Sequence, residues 1–330
     1  MSVYGDITPR VGIYAHEQML SHAEPIIVLQ KMGLVKPVPK HKGENVKFRR
    51  PNPWSVTTTP LTEGVTPAAK SIGYTDVSVV LAEYGDFVEL TDKIQDLHED
   101  PVLNDQMMLA GENAAETLEI VTYNVLKGGT SVKYGGGTSR VTVASKITLA
   151  LVQESVRNLM GNRAKRITSI LSPSTNIGTR AVEAAFVAFT HTDAASDIRA
   201  LPGFTKVADY GSRQVLCPEE LGTVEDVRFV CSPLFVSFAN AGVAIGATGL
   251  KSTGGANIDV YPMIVVAKEA YGTTPLKGMS SSEIKVLRPG EARGGDPLGQ
   301  RGSVGWKAWF QAVRLNEAWM RRIEVGVTAL

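Results

Sequence analysis

Two places in this 330-residue chain set proton-moving groups side by side. His191-Thr192-Asp193 puts an imidazole two residues from a carboxylate, as a general base and its orienting acid would be. Glu219-Glu220 follows Pro218 as an adjacent acid pair. Neither is completed by what surrounds it. No Gly-x-Ser-x-Gly elbow offers the imidazole a nucleophile, so His191 reads as a strand-ending residue satisfied by a turn. Neighbouring residues on a strand face opposite ways, which is wrong for two carboxylates sharing a proton. The pair reads instead as a solvated turn, or as acids bridging an interface to a residue such as Arg228. The five histidines (His16, His22, His41, His98 and His191) form no metal spacing. Cys217 and Cys231 make neither a zinc set nor a disulfide framework and read as small buried hydrophobes. Tyr134-Gly135-Gly136-Gly137-Thr138 lacks the Gly-Lys-Ser/Thr ending of a phosphate loop, and no Gly-x-Gly-x-x-Gly joins a strand to a helix. No cofactor, metal or catalytic residue is expected, and the chain reads as a non-enzyme.

The totals narrow the classes further. Lys plus Arg number 34 against 33 Asp plus Glu, a net charge of +1, without the basic excess of a protein that grips nucleic acid. A hydrophobic content of 43% with 20% charged residues excludes disorder as the dominant state. The length suits two domains or one larger fold with insertions. Two cysteines fit a reducing cytosol, and Met1–Asp6 lacks a signal-peptide pattern. Phe229–Leu250 carries no charge, but Ser232, Pro233, Asn240, Gly242, Gly246 and Gly249 break it. It reads as a buried strand and a Gly-rich loop, so no membrane partner is expected.

The elements around these residues are uneven. Residues 1–45 read as an arm, with seven basic residues between Lys31 and Arg50 against Glu44 alone. That basic run suits phosphates, an acidic neighbour or plain solvent. Residues 46–92 read as a long β-ribbon with a Pro/Thr/Gly tip. A lone two-stranded ribbon is marginal in water. Ordering some 45 residues costs about 1–2 kcal/mol each, and a ribbon by itself cannot bury enough apolar surface to offset that. It must lie against its own core or against another molecule. Asp100 as N-cap and Pro101 open a helix to about residue 127, with Leu103, Met107, Ala110, Ala114, Leu118, Val121 and Val125 on one face and Gly128-Gly129 as its stop. Val141 and Val143 suggest a short strand, and Leu149, Val152, Val156 and Leu159 a second helix ending near Gly161. Residues 184–189 form an apolar strand, and residues 193–297 a turn-rich lobe. Two C-terminal runs, Val304–Phe310 and Ile323–Val327, suggest an antiparallel pair with a turn near Leu315-Asn316-Glu317.

This order of elements resembles the major capsid proteins of tailed bacteriophages with the Hong Kong 97-type fold. Several phrases are similar to the branch typified by the coat protein of coliphage N-four. They are Thr58–Pro67 in the ribbon, Glu83-Tyr84-Gly85-Asp86-Phe87 with Leu90-Thr91-Asp92, Asp197–Phe204, Glu220–Val224 with Val227-Arg228-Phe229, and Asp296–Gly302 with Gly305-Trp306-Lys307. Thr192 departs from the proline that the family often has after the histidine. The resemblance implies an α+β capsid fold with an N-terminal arm (1–45), an extended loop (46–92), a peripheral domain (93–192 and 298–330, with a spine helix about 101–127) and an axial domain (193–297). It implies a major capsid protein that assembles as hexamers and pentamers into an icosahedral shell around double-stranded DNA. The DNA would be held by weak, non-specific contact. It also implies portal and scaffolding partners, a decoration protein as a further candidate, and assembly in the host cytoplasm into a virion. Under this reading the extended loop lies over a neighbouring subunit. Candidate interface residues are Arg49, Arg50, Trp54, Glu63 and Lys70 in the ribbon, and Arg199, Glu219, Glu220 and Arg228 in the axial lobe. An encapsulin-type shell, a hydrolase without a local motif, and a nucleic-acid-binding module using Lys31–Arg50 stand as alternatives.

Overall fold

A computed structural model describes residues 27–330 apart from 42, 98–101, 172–178, 212, 247, 277–282 and 291–293. Most of the expected arm, and the expected helix cap at Asp100 and Pro101, lie outside the described residues. In chain order the strands and helices are β1 (Leu34–Val35), β2 (Asn45–Pro51), β3 (Tyr74–Val80), β4 (Ala82–Thr91), α1 (Asp92–Leu97), α2 (Val102–Lys127), β5 (Val132–Tyr134), α3 (Leu149–Gly161), β6 (Ile167–Leu171), β7 (Thr179–Thr190), α4 (Ala195–Arg199), β8 (Thr205–Lys206), β9 (Glu220–Val224), β10 (Val227–Cys231), β11 (Tyr261–Val266), β12 (Tyr271–Thr273), β13 (Glu283–Leu287), β14 (Arg301–Phe310), β15 (Ala312–Arg314) and β16 (Met320–Val325).

An eight-stranded mixed sheet carries the main core. Its order is β5-β16-β11-β7-β10-β9-β8, with β6 added beside β7. β10 and β11 are buried at every position, and β16 at all but one, which fits strands covered on both faces. α3 and α4 close one face through Val152, Val156, Leu159 and Ile198. The C-terminal third of α2 closes the other through Tyr123 and Leu126, joined by Val28 and Leu29. The middle of α2 instead packs Ala114 and Leu118 onto Trp306, Ala308 and Phe310 of a three-stranded sheet, β13-β14-β4. One 26-residue helix, about 39 Å long at ~1.5 Å per residue, therefore spans both layers.

The ends of α2 have local causes. Arg314 Nη1 donates to Val125 O at 2.6 Å, and Arg322 Nη1 donates to Lys127 O, so two guanidinium groups meet the negative end of the helix. A side chain at Gly129 would meet Met320 Cε at 2.5 Å and Leu126 O at 3.3 Å, so Met320 would have to move to admit one.

Four expectations need correction. The ribbon is shorter than residues 46–92. β2 pairs with β3 in seven antiparallel rungs, whereas β4 leaves the ribbon and pairs with β14 along ten. The C-terminal runs are not a hairpin: β14 lies between β13 and β4, and β16 between β5 and β11. β16 is buried on both faces and needs two neighbours, which a terminal pair would not give it. The expected boundary at residue 193 cuts through the large sheet, since β7 and β16 pair with β10 and β11. Finally, Arg140–Thr142 is a 3-10 turn rather than part of a strand. Thr142 Oγ1 accepts from the Thr138 and Ser139 amides at 3.1 and 3.0 Å, which closes the glycine run on itself.

Candidate assembly surface

The ribbon leaves the body with almost no linker. β3 ends at Val80 and β4 starts at Ala82; between them Leu81 is buried and its amide donates to Glu44 O at 3.0 Å. Pro51, in the last rung, and Pro53 beyond it lack amide donors, so the ladder runs out after the Asn52 amide donates to Gly73 O at 2.8 Å. Side chains hold the two arms as well. Thr75 Oγ1 donates to Asn52 Oδ1 at 2.7 Å and Trp54 Nε1 to Ser71 O at 3.1 Å. Lys70 Nζ donates to Ser55 O and Thr57 Oγ1, each at 2.6 Å. Glu63 sits at the apex of a turn in which the Val65 amide bonds Thr62 O and Gly64 takes φ +75°.

Every residue from Pro51 to Asp76 is exposed. Among them are Trp54 (59%), Val56 (77%), Leu61 (76%), Val65 (62%) and Ile72 (61%). A chain held in shape by its own hydrogen bonds, yet showing this much apolar surface, is a candidate interaction surface on physical grounds. Arg49 pairs in two-pronged fashion with Asp76 across the ribbon (2.9 and 3.1 Å) and lies over Tyr74. That guanidinium holds the Asp76 carboxyl below its usual range. Arg50, on the neighbouring rung, is exposed.

A second surface faces out between the helix and the small sheet. It is a groove of about 710 Å³ with Phe87, Val88, Leu109, Ala110, Leu234 and Trp306 in its walls. Phe87 is 65% exposed. Trp306 Nε1 is satisfied by Asn113 Oδ1 at 2.8 Å, whereas Gln106 Oε1 is buried without a donor among the described residues. Asp86, Glu112 and Glu116 are its charged lining residues, so the groove is apolar with an acidic rim.

The candidates from the lobe divide differently. Arg199 is exposed at the end of α4, and Glu219 is half-buried. Glu220 and Arg228, expected at an interface, lie inside their own subunit. The alternation of β9 turns Glu220 inward with Gly222 and Val224. There it accepts from Tyr210 OH at 2.7 Å and the Leu216 amide at 2.6 Å, with Arg228 Nη1 3.6 Å away. Burial raises the Glu220 pKa, opposed by these donors. Arg228 Nη1 donates to Gln214 O at 2.8 Å, and Nη2 is 3.5 Å from Glu183. These two residues brace the sheet.

One residue escaped an apolar-only reading of α2. Glu119 is fully buried, and its Oε1 accepts from the Val28 and Leu29 amides at 2.8 and 2.7 Å. Tyr271 OH donates to Leu29 O at 2.6 Å, and Gly33 lies where a Cβ would meet the Tyr271 ring at 2.6 Å. Residues 27–38 are thereby strapped across α2 and along β12 before the chain enters the ribbon. Glu119 follows Glu112 and Glu116 at helical spacing, so its sequence context gave no signal that it alone is buried.

Comparison with known proteins adds three findings. Residues 74–323 match the family model described as phage capsid protein. No curated protein sequence matches the chain. Many solved structures do. The capsid of Ralstonia phage GP4 is similar over 100% of this chain and 98% of its own, at TM-score 0.70 and 11% identity. The head of Helicobacter pylori bacteriophage KHP40 is similar over 97% and 95%, at 0.64 and 8%. The capsid of cyanophage P-SCSP1u is similar over 97% and 94%, at 0.62 and 12%. At such identities the likeness is one of fold.

Proposed function

The chain belongs to the phage capsid protein family and is a major capsid protein of the head shell, and from that premise we propose how it builds that shell. The fold is of the Hong Kong 97 type, in the branch of the coliphage N-four coat protein. α2 with the β13-β14-β4 sheet forms the peripheral domain, and the eight-stranded sheet forms the axial domain around hexamer and pentamer centres. The ribbon of one subunit lies over its neighbour. The observation that carries this is the unbroken exposure from Pro51 to Asp76, with Trp54, Val56, Leu61, Val65, Ile72 and Tyr74 in it.

The acidic-rimmed groove between β4 and α2 suits such a ribbon, which brings Lys47, Arg49, Arg50 and Lys70 against Glu63 and Asp76. Single exposed ion pairs contribute below about 1 kcal/mol, so closure rests on apolar burial repeated over many copies. The near-neutral chain encloses double-stranded DNA by weak, non-specific contact. Portal and scaffolding proteins join assembly in the host cytoplasm, with a decoration protein as a further candidate. The role is structural, without a catalytic step.

The test is deletion of Trp54–Lys70 with a short turn replacing it. The subunit should remain folded by circular dichroism, because every removed residue is exposed among the described residues, and electron microscopy should show no closed shells. Normal particles from the deleted chain would refute the ribbon's role.

A further inference from the structure

At the end of β7, His191 Nδ1 accepts the Asp193 amide hydrogen at 3.0 Å. The imidazole is thus the N-cap of a 3-10 turn, Thr192–Ala194, that runs straight into α4. An accepting Nδ1 carries no proton, so the ring is the neutral Nε2–H tautomer. The Asp193 carboxylate is held from two other elements. Lys251 Nζ, from the Gly-rich loop, donates to Oδ2 at 2.6 Å, and Tyr261 OH, from β11, donates to the same oxygen at 2.7 Å. His191 Nδ1 stands 3.3 Å from that oxygen, and its ring centroid is 5.5 Å from that of Tyr261.

A proton on Nδ1 would set one donor against another at the Asp193 amide. The imidazolium could turn only to Asp193 Oδ2, already engaged by Lys251 and Tyr261, and would bring a second positive charge up to Lys251. We propose that His191 is a pH-gated cap, fastening the turn and α4 when neutral and releasing them when protonated.

What α4 holds gives the release its reach. Its buried Asp197 accepts from the Thr328 amide and hydroxyl at 2.8 and 2.6 Å and pairs with Lys146 at 3.3 Å, so the chain's last residues are tied to it. The charged and titratable groups facing His191 are Asp193, Lys251 and Tyr261. Burial lowers the His191 pKa, Asp193 opposes this, and Lys251 adds to it. With the folded value depressed, the unfolded chain takes up the proton first. The cap's contribution is full above 6.5 and is lost as pH falls from there toward the folded value.

Hydrogen exchange of the full chain, corrected for intrinsic rates, tests this at pH 7.5 and 5.0. In the wild type, opening of residues 193–200 should rise by about fivefold at the lower pH, the worth of a typical cap. His191→Asn, whose amide oxygen caps without titrating, should show no such rise, and residues 186–189 should not change in either protein. An equal rise in both proteins, or none in the wild type, overturns the proposal. If the variant fails to fold, an NMR titration of His191 in the wild type still decides it. Its midpoint must coincide with that of the exchange transition, and a separate midpoint overturns the proposal.

Discussion

Glu119 offers the sharpest test of how the subunit is braced. Its Oε1 is the acceptor for the buried Val28 and Leu29 amides. Glu119→Ala leaves both donors without a partner in a dry site. At about 1–3 kcal/mol for each orphaned group, the loss comes to roughly 2–6 kcal/mol. Glu119→Gln keeps the accepting oxygen and removes a buried charge but sets an amide NH2 where Oε2 is buried without a partner among the described residues, so it should lose less than the alanine variant without matching the wild type. Burial raises the Glu119 pKa, while the amides of Leu29, Val28 and Gln30 pull it back. A raised folded value means the wild type is favoured below the unfolded value of 4.5 and loses that advantage as pH rises through the folded one. The glutamine variant lacks this dependence, so it should gain on the wild type between acid and neutral pH. Urea unfolding at several pH values gives the stabilities, and hydrogen exchange at Val28 and Leu29 reports the strap directly. Wild-type protection of those two amides in Glu119→Ala, or an equal loss in the alanine and glutamine variants, would refute the reasoning.

Substitutions at two further positions separate packing from charge. Arg228→Ala strands Glu220 in the sheet interior and should cost about 3 kcal/mol, whereas Arg228→Met fills the space with less loss; urea midpoints compare them. Gly305→Ala places a Cβ 2.7 Å from Phe87 Cβ and 2.8 Å from Asp86 O, so β4 and β14 must part. A loss of about 1–3 kcal/mol is expected from thermal or urea unfolding, with the eight-stranded sheet retaining its exchange protection.

Local periodicity carried far in this chain. The spacing of apolar residues gave both long helices, and Gly128-Gly129 gave the end of α2, because helix signals lie within a few turns of sequence. Strand partners do not. The alternation in Val304–Phe310 and in Ile323–Val325 is real, yet nothing local says that the first pairs with Ala82–Thr91 and the second with Tyr261–Val266. The same non-locality hid where the ribbon stops, since β3 and β4 read as one strand until β14 claims the second. Glu220 and Arg228 were legible as an ion pair but not as interior residues, because burial there depends on Tyr210, Leu216 and Gln214 arriving from another loop. The ribbon residues Trp54 and Lys70 were legible as surface. Their internal bonds to Ser71 and Ser55 are a matter of how the two arms lie side by side.

The join at Leu81 has a mechanical consequence. Seven rungs at ~3.4 Å make a shaft of about 24 Å, and the proline-rich reach beyond adds up to ~36 Å at full extension. With Leu81 as the only residue between β3 and β4, the ribbon can be treated as a boom pivoting at its root. A tilt of five degrees there carries the far end through roughly 5 Å, about one strand spacing. If the ribbon lies over a neighbouring subunit, as proposed, a small strain in the body of one subunit would be magnified at the point where the ribbon chooses between adjacent seats, and a single polypeptide could meet several local curvatures without refolding.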